Sequence, residues 1–147
     1  MVNLVVISHG DFCNGLMETL KMVAGSDFGI KAVSLKPGET PEVFREKLSK
    51  VLSEVCEAGE SETIVLADLA GGTPYQSALY LAKEFKISVI SGMNMPMLLT
   101  LALDKNSEKS MEELVNNAIT EDSLGVKVQL FKEGERRKRA KLSLNKN

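Results

Sequence analysis

Hydrophobic residues along the chain alternate between short continuous runs and helical spacing. Residues 2–7 form an apolar run rich in β-branched side chains, a pattern typical of a strand that is covered on both faces. Leu16, Leu20 and Val23 then recur at helical spacing up to Gly25, and glycine commonly follows the last residue of a helix. The pattern therefore predicts a buried strand followed by a helix.

The same alternation continues through the middle of the chain. Thr40 followed by Pro41 is typical of a helix start, because threonine caps the first N–H groups and proline needs no N–H there. The helix that begins here has an apolar face up to Gly59. Further strands are predicted at residues 30–35, 63–67 and 87–90, and further helices at residues 74–85 and 97–103 and from a cap at Ser110 onwards.

Four buried strands joined by helical crossovers predict an α/β fold with an open, mostly parallel sheet and helices on both faces. We expect the strand order 2-1-3-4. In such sheets, ligands bind at the carboxyl ends of the strands, at the point where the strand order reverses. A functional site is therefore expected in the loops at those ends.

Residues 126–131 carry a different pattern, in which Val126, Val128 and Leu130 alternate with polar neighbours. Such alternation is typical of a strand with one buried and one solvated face. No crossover leads from it into another parallel strand, so we expect it to lie antiparallel at a sheet edge. Because an open edge promotes aggregation, the segment predicts a homodimer in which it completes the partner's sheet.

Size and composition fit one domain, which we place at residues 1–131. The chain has 147 residues, of which 44% are hydrophobic, enough to bury a core. No apolar run reaches the ~18 residues that a membrane span needs, and no positive charge precedes the first apolar run. Cys13 and Cys56 lie in separate helical patterns without metal-ligand spacing. These features predict a cytoplasmic protein with buried free thiols and no metal site.

Charge is distributed unevenly along the chain. Residues 132–147 carry seven Lys or Arg against two Glu, which leaves −7 on residues 1–131 because the total is −2. We interpret residues 132–147 as a mobile, solvated basic tail, with contact to a partner or an acidic membrane surface as the alternative. The acidic body and an aromatic content of 5% argue against a nucleic-acid-binding domain.

Three glycine-containing loops follow the predicted strands: SHGDFCNG at residues 8–15, DLAGGTPYQS at residues 68–77 and SGMNMP at residues 91–96. Each is followed by a helix whose first N–H groups point into the same cleft. The first loop holds His9, the only histidine of the chain. In the expected strand order, His9 and Asp68 face each other across the switch point.

A carboxylate that holds one ring N–H of His9 fixes its tautomer and leaves the other nitrogen as a nucleophile. Glycine turns and helix N-termini supply N–H donors and partial positive charge, which suit a phosphoryl group. Such donors are expected in the turn at Gly10 and in the GGTP turn, where the Thr73 hydroxyl adds another. This chemistry needs no cofactor or metal. We therefore predict phosphoryl transfer through a phosphohistidine, with His9 and Asp68 as catalytic residues.

In their order and spacing, these three loops resemble the IIA component of the mannose, fructose and sorbose class of the bacterial sugar phosphotransferase system. The resemblance covers about residues 1–131. It implies that His9 accepts a phosphoryl group from the phosphocarrier HPr and passes it to a IIB component, which phosphorylates sugar entering through the membrane components IIC and IID. It further implies that Asp68 orients His9, that a C-terminal strand is exchanged in a homodimer, and that the phosphoryl group contacts Gly71, Gly72 and Thr73.

Several alternatives remain open at this point. A related domain in the phosphoryl donor of dihydroxyacetone kinase has a similar fold and histidine, although the loop after its third strand differs. A response-regulator-like switch would place the phosphoryl group on Asp68, but only Asp11 is available near the first strand to help hold a metal. A nucleotide- or flavin-binding module also suits the strand order but lacks a G-x-G-x-x-G motif. Asp68 or Thr73 can also serve merely as a cap of the following helix.

Overall fold

Over the residues that the structure describes, the sheet is four-stranded and entirely parallel. A computed structural model describes residues 1–57 and 60–132. The strands are β1 (Val2–His9), β2 (Lys31–Leu35), β3 (Glu62–Ala67) and β4 (Ile87–Ser91). They pair in the order β2-β1-β3-β4. This confirms the predicted strand order and places its reversal between β1 and β3.

The helices cover both faces of this sheet, as predicted. They are α1 (Phe12–Ala24), α2 (Pro41–Val55), α3 (Thr73–Leu81), α4 (Met95–Asp104), α5 (Met111–Ala118) and the short α6 (Glu121–Leu124). Alternate residues of β1 belong to two separate core clusters: Leu4 and Val6 pack with α1, α4 and α5, whereas Val5 and Ile7 pack with α2 and α3. The continuous apolar run of β1 is explained by this burial on both sides.

The predicted helix starts are confirmed in detail. The Thr40 hydroxyl accepts the N–H of Val43 at the start of α2. Ser110 and Glu113 form a reciprocal capping box at the start of α5. Helix α1 ends where predicted, because Gly25 takes a left-handed conformation with φ of 76°.

Some boundaries differ from the sequence predictions. Helix α3 ends at Leu81 instead of continuing to residue 85, because residues 82–85 turn back with bonds such as Glu84 N–H to the Leu81 carbonyl. The periodicity did not predict α6, whose four residues are too few for a repeating pattern. Strand β2 begins one residue later than expected.

The segment 126–131 forms no strand within the single chain. Its apolar side chains are exposed, with 76% of Val126 and 84% of Leu130 open to solvent. The predicted antiparallel strand, with its exchange in a dimer, therefore needs a partner to form and stays a prediction. Residues 133–147 of the predicted basic tail lie outside the described residues, as does Gly59.

Two further sequence predictions concern the cysteines and the absence of a membrane span. Cys13 and Cys56 are both free and fully buried, as the sequence predicted. Burial raises the pKa of the Cys13 thiol, although a hydrogen bond with Ser8 opposes that effect. Among residues 1–57 and 60–132, no helix is both long and apolar enough to cross a bilayer.

Candidate active site

His9 and Asp68 meet at the switch point of the sheet, as the sequence predicted. His9 is the last residue of β1, and Asp68 directly follows β3, the neighbouring strand. The ring Nδ1 of His9 lies 2.8 Å from Oδ2 of Asp68. The same carboxylate oxygen accepts the backbone N–H of His9 at 2.9 Å. Asp68 therefore holds both the ring and the backbone of the histidine.

The other oxygen of Asp68 is also bound, because Oδ1 accepts the backbone N–H of Leu69 at 2.9 Å. Burial of the carboxylate acts to raise the pKa of Asp68, but hydrogen bonds from the His9 backbone, the His9 ring and Leu69 outweigh it and hold that pKa below its ordinary value. Asp68 is therefore ionised at neutral pH. It does not cap α3, whose cap residue is Gly72.

The ionised carboxylate decides the tautomer of His9. A carboxylate without a proton only accepts hydrogen bonds, so Nδ1 must carry the proton that points at Asp68. The other nitrogen, Nε2, then keeps its lone pair. Because 47% of the His9 side chain is open to solvent, a reacting group can approach the ring.

The Cε1–Nε2 edge of the ring faces Gly72, the residue before α3. A Cβ atom placed on Gly72 would lie 2.5 Å from Cε1 and 3.0 Å from Nε2 of His9. No side chain fits there without moving the ring. The φ of Gly72 is −82°, which any residue adopts, so the backbone conformation does not require glycine. Glycine is required because a side chain at this position would collide with the His9 ring.

This close approach brings Nε2 of His9 to the N-terminus of α3. The first N–H groups of a helix have no acceptor within the helix and carry partial positive charge. Thr73, the first residue of α3, follows Gly72 directly. Within the described part of the chain its hydroxyl has no hydrogen-bond partner, so it is free to bind an anion.

The glycines predicted to bind phosphoryl oxygens divide into two groups. Gly10 turns the chain after β1 with φ of 54°, and its N–H already donates to the Leu35 carbonyl at 2.8 Å. The prediction that Gly10 donates to a phosphoryl group is therefore not supported by this geometry. Gly71, with φ of 89°, and Gly72 form the turn into α3 beside the ring.

The structure adds contacts that the sequence did not predict. The buried Ser8 hydroxyl joins Gly10 and Cys13 around the histidine. The third loop is fixed to the end of β3 by the Met93 N–H, which donates to the Ala67 carbonyl at 3.0 Å. A serine at the strand end was visible in the sequence, but its partners depend on how the loop turns.

This arrangement is suited to nucleophilic attack on an anionic group. It combines a ring nitrogen with a fixed lone pair, a carboxylate that stabilises positive charge on the ring, and a helix N-terminus that attracts anions. Among the residues that the structure describes, no three His, Cys, Asp or Glu side chains are grouped as metal ligands.

Comparison with known proteins gives consistent matches. The family described as PTS system fructose IIA component matches residues 3–119, a range that contains His9, Asp68 and Thr73. The PTS system fructose-specific EIIA component of Bacillus subtilis (strain 168) is 31% identical over 118 residues, which are 80% of this chain and 79% of that protein.

Two further proteins extend the comparison. The PTS system mannose-specific EIIAB component of Escherichia coli (strain K12) is 29% identical over 128 residues; the match covers 86% of this chain but 39% of that relative. The crystal structure of the phosphotransferase system component EIIA from Streptococcus agalactiae is 29% identical, with a TM-score of 0.77 over 87% of this chain and 97% of that one.

These comparisons give no support to the alternative of a dihydroxyacetone kinase subunit. They agree with the resemblance of the three loops, and the family match covers well over half of the chain. The chain therefore belongs to the EIIA family of the mannose, fructose and sorbose type, and it is a phosphoryl carrier in sugar uptake.

Proposed function

We propose that Nε2 of His9 is the atom that carries the phosphoryl group, received from phospho-HPr and passed to a IIB component. The observation that supports this most directly is the 2.8 Å contact between Nδ1 and Asp68, which leaves Nε2 as the free nucleophile. Membership of the family supports the relay from HPr to a IIB component, and the contact with Asp68 supports the choice of Nε2.

The transfer proceeds as follows. The Nε2 lone pair attacks phosphorus, and the bond between phosphorus and the donor breaks, with its electron pair leaving on the donor. Nδ1 keeps its proton, so the phosphorylated ring is cationic and is stabilised by the Asp68 carboxylate at 2.8 Å. In the second step, the bond from Nε2 to phosphorus breaks as the acceptor attacks, and the ring returns to its neutral Nδ1–H form.

The phosphoryl oxygens bind at the start of α3. The Gly71–Gly72 turn and the first helical N–H groups supply donors, and the Thr73 hydroxyl adds one more. Preorganised donors of this kind stabilise the negative charge that is spread over the oxygens of the transferring phosphoryl group. In this assignment, Asp68 orients the nucleophile and Gly72 provides the space in which the phosphoryl group and the ring meet.

The partner proteins contact the surface around His9. Two large apolar side chains of the active-site loops are exposed there: Phe12, at the start of α1, is 50% open to solvent, and Leu69, next to Asp68, is 53% open. Exposed apolar side chains that flank a reactive group are typical of a protein docking surface. We propose that HPr and the IIB component both contact Phe12 and Leu69.

The assembly that we propose is a homodimer in which residues 126–131 extend the partner's sheet. Among the described strands, β4 has a neighbour on one side only, so its other edge is open. Val128 is 73% exposed in the single chain. Strand addition would bury the apolar side chains of this segment and would pair the open backbone N–H and C=O groups of the sheet edge.

The function is tested by incubating the chain with phospho-HPr and following the phosphate by intact mass and peptide mapping. We expect one acid-labile, base-stable phosphate, which must be phosphohistidine at His9 because the chain has no other histidine. The His9→Ala variant should stay folded and take up none. Phosphate retained in that variant, or acyl phosphate on Asp68, would refute the proposal.

A further inference from the structure

Ser8 is a buried hydroxyl next to the proposed nucleophile, and it makes two hydrogen bonds around it. The residue precedes His9 in β1 and has no exposed surface. Its Oγ donates to the Gly10 carbonyl at 3.1 Å and accepts the backbone N–H of Cys13 at 2.8 Å. One hydroxyl thus ties the end of β1 to the following turn and to the first turn of α1.

This hydroxyl replaces the ordinary cap of α1. Asp11 occupies the cap position, but its side chain accepts no backbone N–H of the helix and instead lies 3.3 Å from Nδ2 of Asn14. The acceptor for Cys13, the second residue of the helix, is therefore Ser8. The loop also contains Gly10, and glycine restricts the backbone conformation less than any other residue does. The loop therefore depends on hydrogen bonds such as those of Ser8 to keep one conformation.

The histidine tolerates little displacement. Its backbone N–H and its ring Nδ1–H must both reach the same oxygen of Asp68, at 2.9 and 2.8 Å. On the other side, the ring leaves no space for even a single carbon atom on Gly72. A shift of the His9 backbone breaks one of these relationships, which changes the direction of the Nε2 lone pair.

We infer that Ser8 is a positioning residue for phosphoryl transfer, holding His9 in register with Asp68 and Gly72 through its two hydrogen bonds. This inference rests on the proposed function of His9. Ser8 does not touch the phosphoryl group, and it is not required for docking, because it has no exposed surface. It therefore acts on the transfer step and leaves the affinity for the donor unchanged.

The test compares Ser8→Thr with Ser8→Val, two side chains of the same shape that differ in the hydroxyl. Both variants add the same methyl group on Cβ, so any strain from that group is shared by the pair. In single-turnover transfer from phospho-HPr, we expect Ser8→Val to be about tenfold to a hundredfold slower than Ser8→Thr, with equal dependence on donor concentration. Equal transfer rates for the two variants would overturn the role of Ser8.

A matched control lies at the opposite end of the sheet. Thr63, fully buried at the start of β3, places its Oγ1 3.2 Å from Sγ of Cys56. Thr63→Val removes a buried hydroxyl without touching the active-site loops. It should lower thermal stability while the transfer rate stays near that of the wild type. If Thr63→Val slows transfer as much as Ser8→Val does, the effect is general destabilisation and the inference fails.

A second readout separates this inference from the proposed function. Ring ¹⁵N chemical shifts of His9 report its tautomer without any phosphoryl donor. We expect the Nδ1–H form in the wild type and in Ser8→Thr, and a mixture of tautomers in Ser8→Val. A single Nδ1–H form in all three would overturn the role of Ser8. A wild-type chain that takes up no phosphate would instead overturn the function of His9.

Discussion

One oxygen of Asp68 accepts two hydrogen bonds from His9, one from the backbone N–H at 2.9 Å and one from the ring Nδ1 at 2.8 Å. The carboxylate therefore fixes where the histidine is as well as which ring nitrogen carries the proton. Two neighbouring parallel strands make this possible, because their carboxyl ends lie side by side.

Replacing Asp68 with Asn should slow phosphoryl transfer by a factor of about a hundred or more. An amide can stabilise the wrong tautomer and no longer compensates positive charge on the ring; in the serine protease triad the same change costs up to about ten-thousandfold. Single-turnover transfer from phospho-HPr measures the effect, with circular dichroism as the folding control. Transfer at the wild-type rate would mean that Asp68 is only a structural residue.

The contribution of Asp68 to stability should depend on pH in a defined direction. Its pKa in the folded protein lies below the ordinary value of 3.8, despite burial, because of the hydrogen bonds from His9 and Leu69. The resulting stabilisation is fully present above that ordinary value and is lost as pH falls through the lower folded pKa. The difference in unfolding free energy between wild type and Asp68→Asn should therefore shrink in acid. Denaturant titrations at neutral and acidic pH measure this; a difference that grows in acid would contradict it.

The Gly72→Ala variant should lose most of its transfer activity while remaining folded. The added carbon lies 2.5 Å from Cε1 of His9, so the ring must turn away from α3, whereas the backbone at φ of −82° accepts alanine. We expect roughly a hundredfold loss of rate, the scale of a misplacement of about 1 Å.

Gly15→Ala is the matched control for that variant. Gly15 lies within α1, and a Cβ there meets nothing within 4 Å. This change should leave transfer unaffected and stabilise the helix by about 0.5–1 kcal/mol, because alanine loses less backbone entropy on folding. If both glycine variants keep the wild-type rate, the ring does not depend on the space at Gly72.

The strand order and the facing of His9 and Asp68 were predictable because a buried parallel sheet has a strong sequence pattern and a fixed handedness of crossovers. The detailed roles were not. Gly72 was predicted as a phosphoryl contact, but its missing side chain also makes room for the ring. Gly10 was predicted to donate to the same group, but the chain turns so that its N–H meets Leu35. Both facts depend on loop conformations that no periodicity specifies.

Polar substitutions at Phe12 and Leu69 should weaken partner docking without altering the chemical step. Ser at either position removes exposed apolar surface beside His9, so the donor concentration for half-maximal rate should rise severalfold while the maximal rate is kept. Steady-state transfer at varied phospho-HPr measures both quantities. Met22→Ser is the control, since Met22 is 87% exposed near the far end of α1. Equal behaviour of the three variants would place docking elsewhere.

The chain should be a dimer in solution, held by residues 126–131. Light scattering on a sizing column should give twice the chain mass of 16.0 kDa at micromolar concentration. Val128→Lys places a charge on the face that the partner's sheet buries, where an unpaired ammonium group is costly, so this variant should elute as a monomer. Met22→Lys, an equally drastic change at an exposed residue of α1, should remain a dimer. A wild-type monomer would refute the exchanged strand and leave the chemistry of His9 untouched, because every contact of Asp68 with His9 is made within one chain.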